Sequence, residues 1–304
     1  MRKYERIFII SFLAILSTLS GCRTNNGLIE NTVVIKGSDT MVNLSQKWVE
    51  EYIKIHPEIS LQVTGGGSGI GITALLNGTA DIANMSRELK DRELERGEVA
   101  HVMPVQYKVA LDGIAVIVSP KNKIDTLTLE QIKGIYSGKI KNWKDVGGAD
   151  LEIVKYGREN SSGTYEYFKE TILGRDKTGK RVDFAVSTQV LQGTSALGEA
   201  VAKDIKGIGY GGVGYFAKRD DLKIIFLKDS SLQKAISPVK NNEVNYKVIR
   251  DGVYPLSRYL YCYTNGKPKG AVKNFINFIL SEQGQKIVKE MEYIPLHEKL
   301  LESN

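Results

Sequence analysis

The segment Gly157-Arg158-Glu159-Asn160-Ser161-Ser162-Gly163-Thr164 joins a strand-like run, 151–156, to a helix-like run, 165–173. A chain entering a helix through Ser-Gly-Thr aims unpaired backbone N–H groups and hydroxyls at one point, where the helix dipole also favours negative charge. Arg158 adds a planar, permanently charged fork that matches carboxylate or phosphate oxygens. The chemistry on offer is capture of an oxyanion. In isolation Ser162 and Thr164 would read as ordinary helix caps, but related junctions occur three times upstream. Gly37-Ser38-Asp39-Thr40 follows the strand candidate 32–36 and precedes an amphipathic run in which Met41, Leu44, Trp48, Tyr52 and Ile55 recur at helical spacing. Gly65-Gly66-Gly67-Ser68-Gly69 follows 59–64 and opens a short helix, 70–76, its glycines letting backbone amides reach a ligand directly. Ser86-Arg87 follows the apolar stretch 80–85. In an α/β sheet such junctions gather at the carboxyl ends of the strands, where ligands bind.

The elements that must hold these loops alternate strand and helix from 32 to 105, with longer strand-like runs at 109–118 and 254–263. Between those runs lies a second series: helix 129–136, strand 151–156, helix 165–173, strand 184–186, helix 190–202 and strand 208–210. Helices 271–280 and 284–291 close the chain. The pattern predicts an α/β fold with two lobes. Turn-rich stretches at 119–125 and 241–252 mark the crossings, so the first lobe comprises 32–119 with 253–304 and the second, 120–252, is inserted. No tandem repeat interrupts this organisation.

The N-terminus carries an address. Arg2, Lys3 and Arg6 precede an apolar run, 7–19, and Leu19-Ser20-Gly21-Cys22 sets small residues ahead of a cysteine. This reads as a signal peptide over 1–21, too short and wrongly flanked for a spanning helix. Leu-Ser-Gly-Cys resembles a bacterial lipobox, implying cleavage before Cys22, lipid on its sulfur, and a polar tether over 22–31. The other cysteine, Cys262, then has no partner and is expected to be a buried, inert thiol. Of the formal charge of +7, about +2 lies in the signal segment, leaving about +5 to favour anionic ligands or headgroups.

Other chemistries lack their residues. A serine hydrolase needs a base within reach, yet only His56, His101 and His297 exist and none lies in the four loops. There is no phosphate-binding Gly-x-x-x-x-Gly-Lys-Ser/Thr loop, no cluster with metal-ligand spacing, and no zinc-finger or RNA-binding signature, so no metal, cofactor or nucleic acid is expected. Gly207, Gly209 and Gly212 match a dinucleotide signature, with Asp229 at a suitable distance, but too few residues precede the next strand. A close-packed turn is the better reading. Trp143 is expected in a helix–loop packing contact.

The lipobox, Gly-Ser-Asp-Thr-Met at 37–41, Gly-Gly-Gly-Ser-Gly at 65–69, Arg158 with Ser162-Gly163-Thr164, and Phe-Ile-Asn-Phe-Ile-Leu-Ser-Glu-Gln-Gly-Gln at 275–285 together resemble the phosphate-binding proteins of bacterial phosphate ABC importers. The resemblance covers about 32–300. It implies a type II periplasmic-binding-protein fold with two hinge strands, phosphate in the interlobe cleft, delivery to an ABC permease, and a protein lipid-anchored on the outer face of the cytoplasmic membrane. Ligand contacts carry over to Ser38, Thr40, Met41, Ser68, Gly69, Ser86, Arg158, Ser162, Gly163 and Thr164. Where some members place an aspartate that accepts the ligand's proton, this chain has Ser86. The acceptor is then a serine oxygen, a backbone carbonyl, or a nearby carboxylate, Asp39 or Glu159, with Glu159 preferred because it adjoins Arg158. A phosphate-ester hydrolase and an adhesin or signalling protein on the same fold are the alternatives.

Overall fold

The computed structural model describes residues 32–229 and 234–297. The signal segment, Cys22 and the tether lie outside the described residues. The first half follows the expected alternation: β1 (Thr32–Gly37), α1 (Val42–Ile55), β2 (Ser60–Thr64), α2 (Ser68–Leu76), β3 (Ile82–Met85), α3 (Asp91–Val99) and β4 (Pro104–Val118). In β4 ten consecutive residues, from Val109 to Val118, are buried, as a strand covered on both faces requires. Asp112 is the one charged residue within that buried run.

The second series comprises β5 (Thr126–Thr128), α4 (Leu129–Tyr136), β6 (Val154–Arg158), α5 (Gly163–Phe168), β7 (Gln189–Leu191), α6 (Thr194–Lys203), β8 (Gly207–Gly212), β9 (Lys223–Ile224) and β10 (Phe226–Lys228). A short hairpin, β11 (Val239–Lys240) and β12 (Glu243–Val244), and α7 (Tyr246–Arg250) lead to β13 (Ser257–Asn265), α8 (Gly270–Leu280) and α9 (Glu282–Glu290). The main sheet runs β2-β1-β3-β13-β4-β8-β6-β7, with β9 also on β4. β1 and β3 are parallel, as are β6 and β8, so the loops after β1, β3 and β6 leave carboxyl ends. β13 pairs antiparallel with both β3 and β4.

Three apolar clusters fill the fold. One packs Trp48 and Tyr52 of α1 against Phe275, Ile276 and Ile279 of α8, and the Trp48 indole N–H donates to the Gly284 carbonyl at 2.8 Å. A smaller one joins Ile72 and Leu75 of α2 to Met85 and Tyr261. The largest gathers Ile114–Val118, Trp143, Phe168 and Tyr210, with the last two rings stacked at 3.8 Å between centroids. Trp143 is anchored by its N–H to the Lys206 carbonyl.

The largest cluster takes in Ile114–Val118 and Leu256, and β4 continues through from β13 to its further partner β8. Three expectations are corrected. Residues 184–186 form no strand; the edge strand is β7, where Gln189–Leu191 pair in parallel with Tyr156–Arg158. The helix expected over 165–173 is α5 followed by a π turn over Lys169–Leu173. Gly207, Gly209 and Gly212 lie within β8, and a Cβ on Gly209 would stand 2.5 Å from a Leu197 methyl. They are therefore close-packing positions of a strand, and not a turn.

Among the described residues no helix is long and apolar enough to cross a membrane, and no group of three His, Cys, Asp or Glu could hold a metal ion. Cys262 is buried and free, its thiol pushed up to about 12 by burial. His56 is half-buried beside Glu58, away from the loops described next.

Candidate anion site

The loops after β1, β3 and β6 and the start of α2 converge. Ser38, Thr40, Ser68, Ser86, Arg158, Ser162 and Thr164 are all buried, although six of them are hydroxyl residues at or beside the ends of elements. The Thr40 and Thr164 hydroxyls share a hydrogen bond of 2.9 Å. Ser68 Oγ accepts from the Ser86 amide at 3.0 Å and lies 3.3 Å from Ser86 Oγ. Gly69 N–H donates to the Ser161 carbonyl at 3.0 Å. Residues expected from both lobes thus meet directly.

Glycine makes this approach possible. At Gly163 a Cβ would stand 2.2 Å from Ser68 Oγ and 2.4 Å from Ser86 Oγ; at Gly67, φ is +94° and a Cβ would stand 2.4 Å from the Ser161 carbonyl oxygen. No side chain fits either place. Ser162 caps α5, its Oγ accepting from the Tyr165 amide. The 37–41 loop is fixed from behind: Tyr215 donates to the Asp39 carbonyl at 2.8 Å, and Tyr293 donates to the Thr40 carbonyl. Met41 points its side chain into the core beside Trp48, and its amide bonds the Ser38 carbonyl, so it supports the loop from within the fold.

Arg158 is held on three sides. Nε and Nη2 donate to the two Glu159 carboxylate oxygens at 3.0 and 2.8 Å, Nη2 also donates to Asp39 Oδ2 at 3.0 Å, and Nη1 donates to Thr194 Oγ1 at 2.9 Å. Asp39 Oδ1 accepts from the Gly66 amide at 2.8 Å. Both carboxylates considered as proton acceptors therefore clamp the guanidinium. Burial pushes the Asp39 carboxyl above its usual range, against the Gly66 amide and Arg158, which favour its charged form; the adjacent Glu159 carboxylate adds to the upward push. Thr194, at the start of α6, was not singled out from the sequence. An isolated Gly-Thr before a helix carries no sign that a distant arginine will use it.

A second guanidinium also escaped the sequence reading. Arg258 on β13 is the direct cross-strand partner of Asp112 on β4. Its Nε and Nη2 donate to Asp112 Oδ2 at 3.1 and 2.8 Å, Nη1 donates to the Ser86 carbonyl at 3.0 Å, and Nη2 reaches Thr164 Oγ1 at 3.0 Å and Thr40 Oγ1 at 3.3 Å. Asp112 is fully buried and its Oδ1 has no hydrogen-bond partner. Burial pushes its carboxyl up, opposed by Arg258 and by the amides of Val213 and Gly113. The available signal was a single charge in each of two otherwise apolar strand runs, a placement that proteins tolerate only when the charges are paired.

Farther out, a cavity of about 960 Å³ is lined by Arg87, Lys90, Lys169, Arg175 and Arg181, with Arg258 also in its wall. Lys90 and Glu166 form an ion pair of 2.6 Å between its sides. Buried hydroxyls, amides at element ends and two guanidiniums make a site rich in donors, suited to a small oxyanion.

The sequence matches the PBP superfamily domain over residues 24–283. It is 34% identical over 283 residues to the phosphate-binding protein PstS of Pseudomonas aeruginosa, covering 88% of this chain and 83% of that one. It is 33% identical over 289 residues to PstS of Staphylococcus saprophyticus, covering 92% and 85%. Among solved structures, a putative phosphate ABC transporter substrate-binding protein with bound phosphate from Clostridium perfringens superposes with a TM-score of 0.75 at 30% identity, covering 88% of this chain and all of that one. An ABC-type phosphate transport receptor from Vibrio cholerae gives 0.68 at 30% identity, covering 86% and 99%. With the two-lobed fold and the donor-lined site in place, these similarities show that the chain belongs to the phosphate-binding proteins of the PBP superfamily.

Proposed function

We propose that the protein captures inorganic phosphate between its lobes and delivers it to an ABC permease, acting as an extracytoplasmic solute-binding protein and not as an enzyme. The observation that carries this reading is the meeting of Thr40 and Thr164 at 2.9 Å above the buried Arg258, with Arg158, Ser68 and Ser86 beside them. Hydroxyls and guanidinium N–H groups supplied by both lobes can surround an anion's oxygens only when the lobes close, so the ligand favours the closed state by that difference in contacts. Ser38, Thr40, the Met41 and Gly69 backbone, Ser68 and Ser86 contribute from one side; Arg158, Ser162, Gly163 and Thr164 from the other. Asp39 or Glu159 accepts the ligand's proton through a lone pair not used by Arg158. Calorimetric titration with phosphate, sulfate, arsenate and molybdate tests the assignment: phosphate and arsenate bind tightly, and equal binding of sulfate overturns it.

The Leu-Ser-Gly-Cys sequence at 19–22 supports cleavage before Cys22 and attachment to the outer face of the cytoplasmic membrane through lipid on that sulfur. A single acyl chain holds a protein only marginally, so a diacylglycerol or further acylation is required. Mass spectrometry of membrane-extracted protein is expected to find a modified N-terminal Cys22 peptide; an intact, unmodified N-terminus refutes the anchor.

A further inference from the structure

Phosphate and its dianion present mostly acceptor oxygens, whereas a threonine hydroxyl can donate or accept. A site of free hydroxyls therefore has no fixed polarity. Here the hydroxyls of Thr40 and Thr164 are both approached by the same donor, Nη2 of Arg258, at 3.3 and 3.0 Å. An arginine never accepts, so it occupies lone pairs on both oxygens; one hydroxyl hydrogen lies in the 2.9 Å bond between the two threonines, and the other is left to be directed elsewhere.

Resting on the phosphate-binding reading above, we propose that Arg258, held by Asp112, is a positioning residue that sets specificity: by occupying lone pairs on both hydroxyls it turns the Thr40–Thr164 pair into a donor toward the ligand. Its own position is over-determined. Asp112 Oδ2 takes two of its N–H groups, the Ser86 carbonyl a third, and the Tyr167 ring lies 5.4 Å from its guanidinium carbon. Because Arg258 and Asp112 are directly opposite each other in the β13–β4 pairing, the pair stays together whether the lobes are apart or closed. Thr40 and Thr164 come from different lobes, so the guanidinium polarises both hydroxyls only in the closed state. The ligand species this arrangement favours is the phosphate dianion, which offers one more acceptor and one fewer proton than the monoanion.

The test replaces the pair as a unit. In the double variant Asp112→Leu/Arg258→Met, apolar side chains of similar volume take the place of a buried ion pair, an exchange that folds commonly tolerate. Thermal melting followed by circular dichroism establishes that the variant is folded. Phosphate affinity is then measured on the full mature chain at pH values below and above the second ionisation of phosphate. The proposal expects the wild-type protein to favour the dianion, and the double variant to lose about ten- to a hundredfold in affinity for the dianion with a smaller loss for the monoanion, flattening the pH profile. Arg258→Lys, which retains a charge and donors, is expected to restore part of the slope. An equal loss at all pH values reduces Arg258 to a structural support and overturns the proposal, as does unchanged binding. If the wild-type protein binds no phosphate, the functional assignment itself falls; wild-type binding combined with an unaltered variant profile fails this inference alone.

Discussion

The side-chain oxygens of Thr40 and Thr164 lie 2.9 Å apart across 124 positions of sequence. Each is buried, and each belongs to a different loop series. A hydroxyl at such a meeting point is removed from water on both sides, so its value to a ligand is that of a buried hydrogen bond. Thr164→Val, which keeps the shape and deletes the hydroxyl, is expected to weaken phosphate binding by about 1–3 kcal/mol in a calorimetric titration. Thr164→Asp, placing a carboxylate against the anion, is expected to abolish it. Wild-type affinity in the aspartate variant would exclude Thr164 from the site.

Closure depends on the missing side chain at Gly163. A methyl there meets Ser68 Oγ and Ser86 Oγ at well under contact distance. Gly163→Ala is therefore expected to hold the lobes apart. Small-angle scattering of the wild-type protein should show a smaller radius of gyration with phosphate, while the variant should keep its ligand-free profile and bind more weakly. A variant that compacts normally would show that the loops yield.

Asp39 and Glu159 share Arg158, yet they differ in their remaining partners, since Asp39 alone also accepts from the Gly66 amide. Sulfate has no proton to give an acceptor, so a fixed carboxylate facing it costs on the order of 1–3 kcal/mol or more. The phosphate-to-sulfate affinity ratio is expected to fall in Asp39→Asn or in Glu159→Gln, identifying the acceptor. A constant ratio in both would move that role to Ser86, to a backbone carbonyl, or to Asp112.

The loop that presents Ser86 is pinned by a bidentate pair, Arg87 to Glu93, at 2.8 and 2.7 Å. Burial alone would raise the Glu93 carboxyl, but Arg87 and the Lys90 amide outweigh it and hold the group below its usual range. A carboxyl lowered in the folded state stabilises above its unfolded pKa, and that contribution disappears as pH falls through the lowered value. Glu93→Gln is thus expected to cost about 3 kcal/mol near neutral pH. The gap between variant and wild type in urea denaturation should narrow progressively below about pH 4. A gap independent of pH would mean that packing, and not charge, holds the loop.

The elements were legible where one physical signal dominated. α1 and α4 appear at their apolar periodicities, and Thr128 with Gln131 forms the capping box at the start of α4. The loops of the site were legible because small hydroxyl residues and glycines at the ends of strands have few other uses in combination. The edge strand β7 was displaced because Phe184 serves the aromatic cluster instead, stacking on Tyr165, and an apolar triplet carries no direction. Arg258 and Asp112 were hidden for a different reason. Asp112 is the lone charge of the buried run of β4 and Arg258 that of β13, 146 positions apart, and only the pairing of the two strands makes them neighbours.

Around the anion site, two guanidiniums face three carboxylates: Arg158 is set against Asp39 and Glu159, and Arg258 against Asp112. The ionised side chains therefore carry no surplus of positive charge, and attraction falls to oriented hydroxyls, amides and the inner guanidinium faces. Mobile salt screens exposed charges far more than buried dipoles. Grip on the ligand should accordingly change little between dilute and concentrated electrolyte, while the lysines and arginines of the outer cleft make the speed of capture depend on ionic strength. Arrival and retention are thereby governed by separate parts of the molecule.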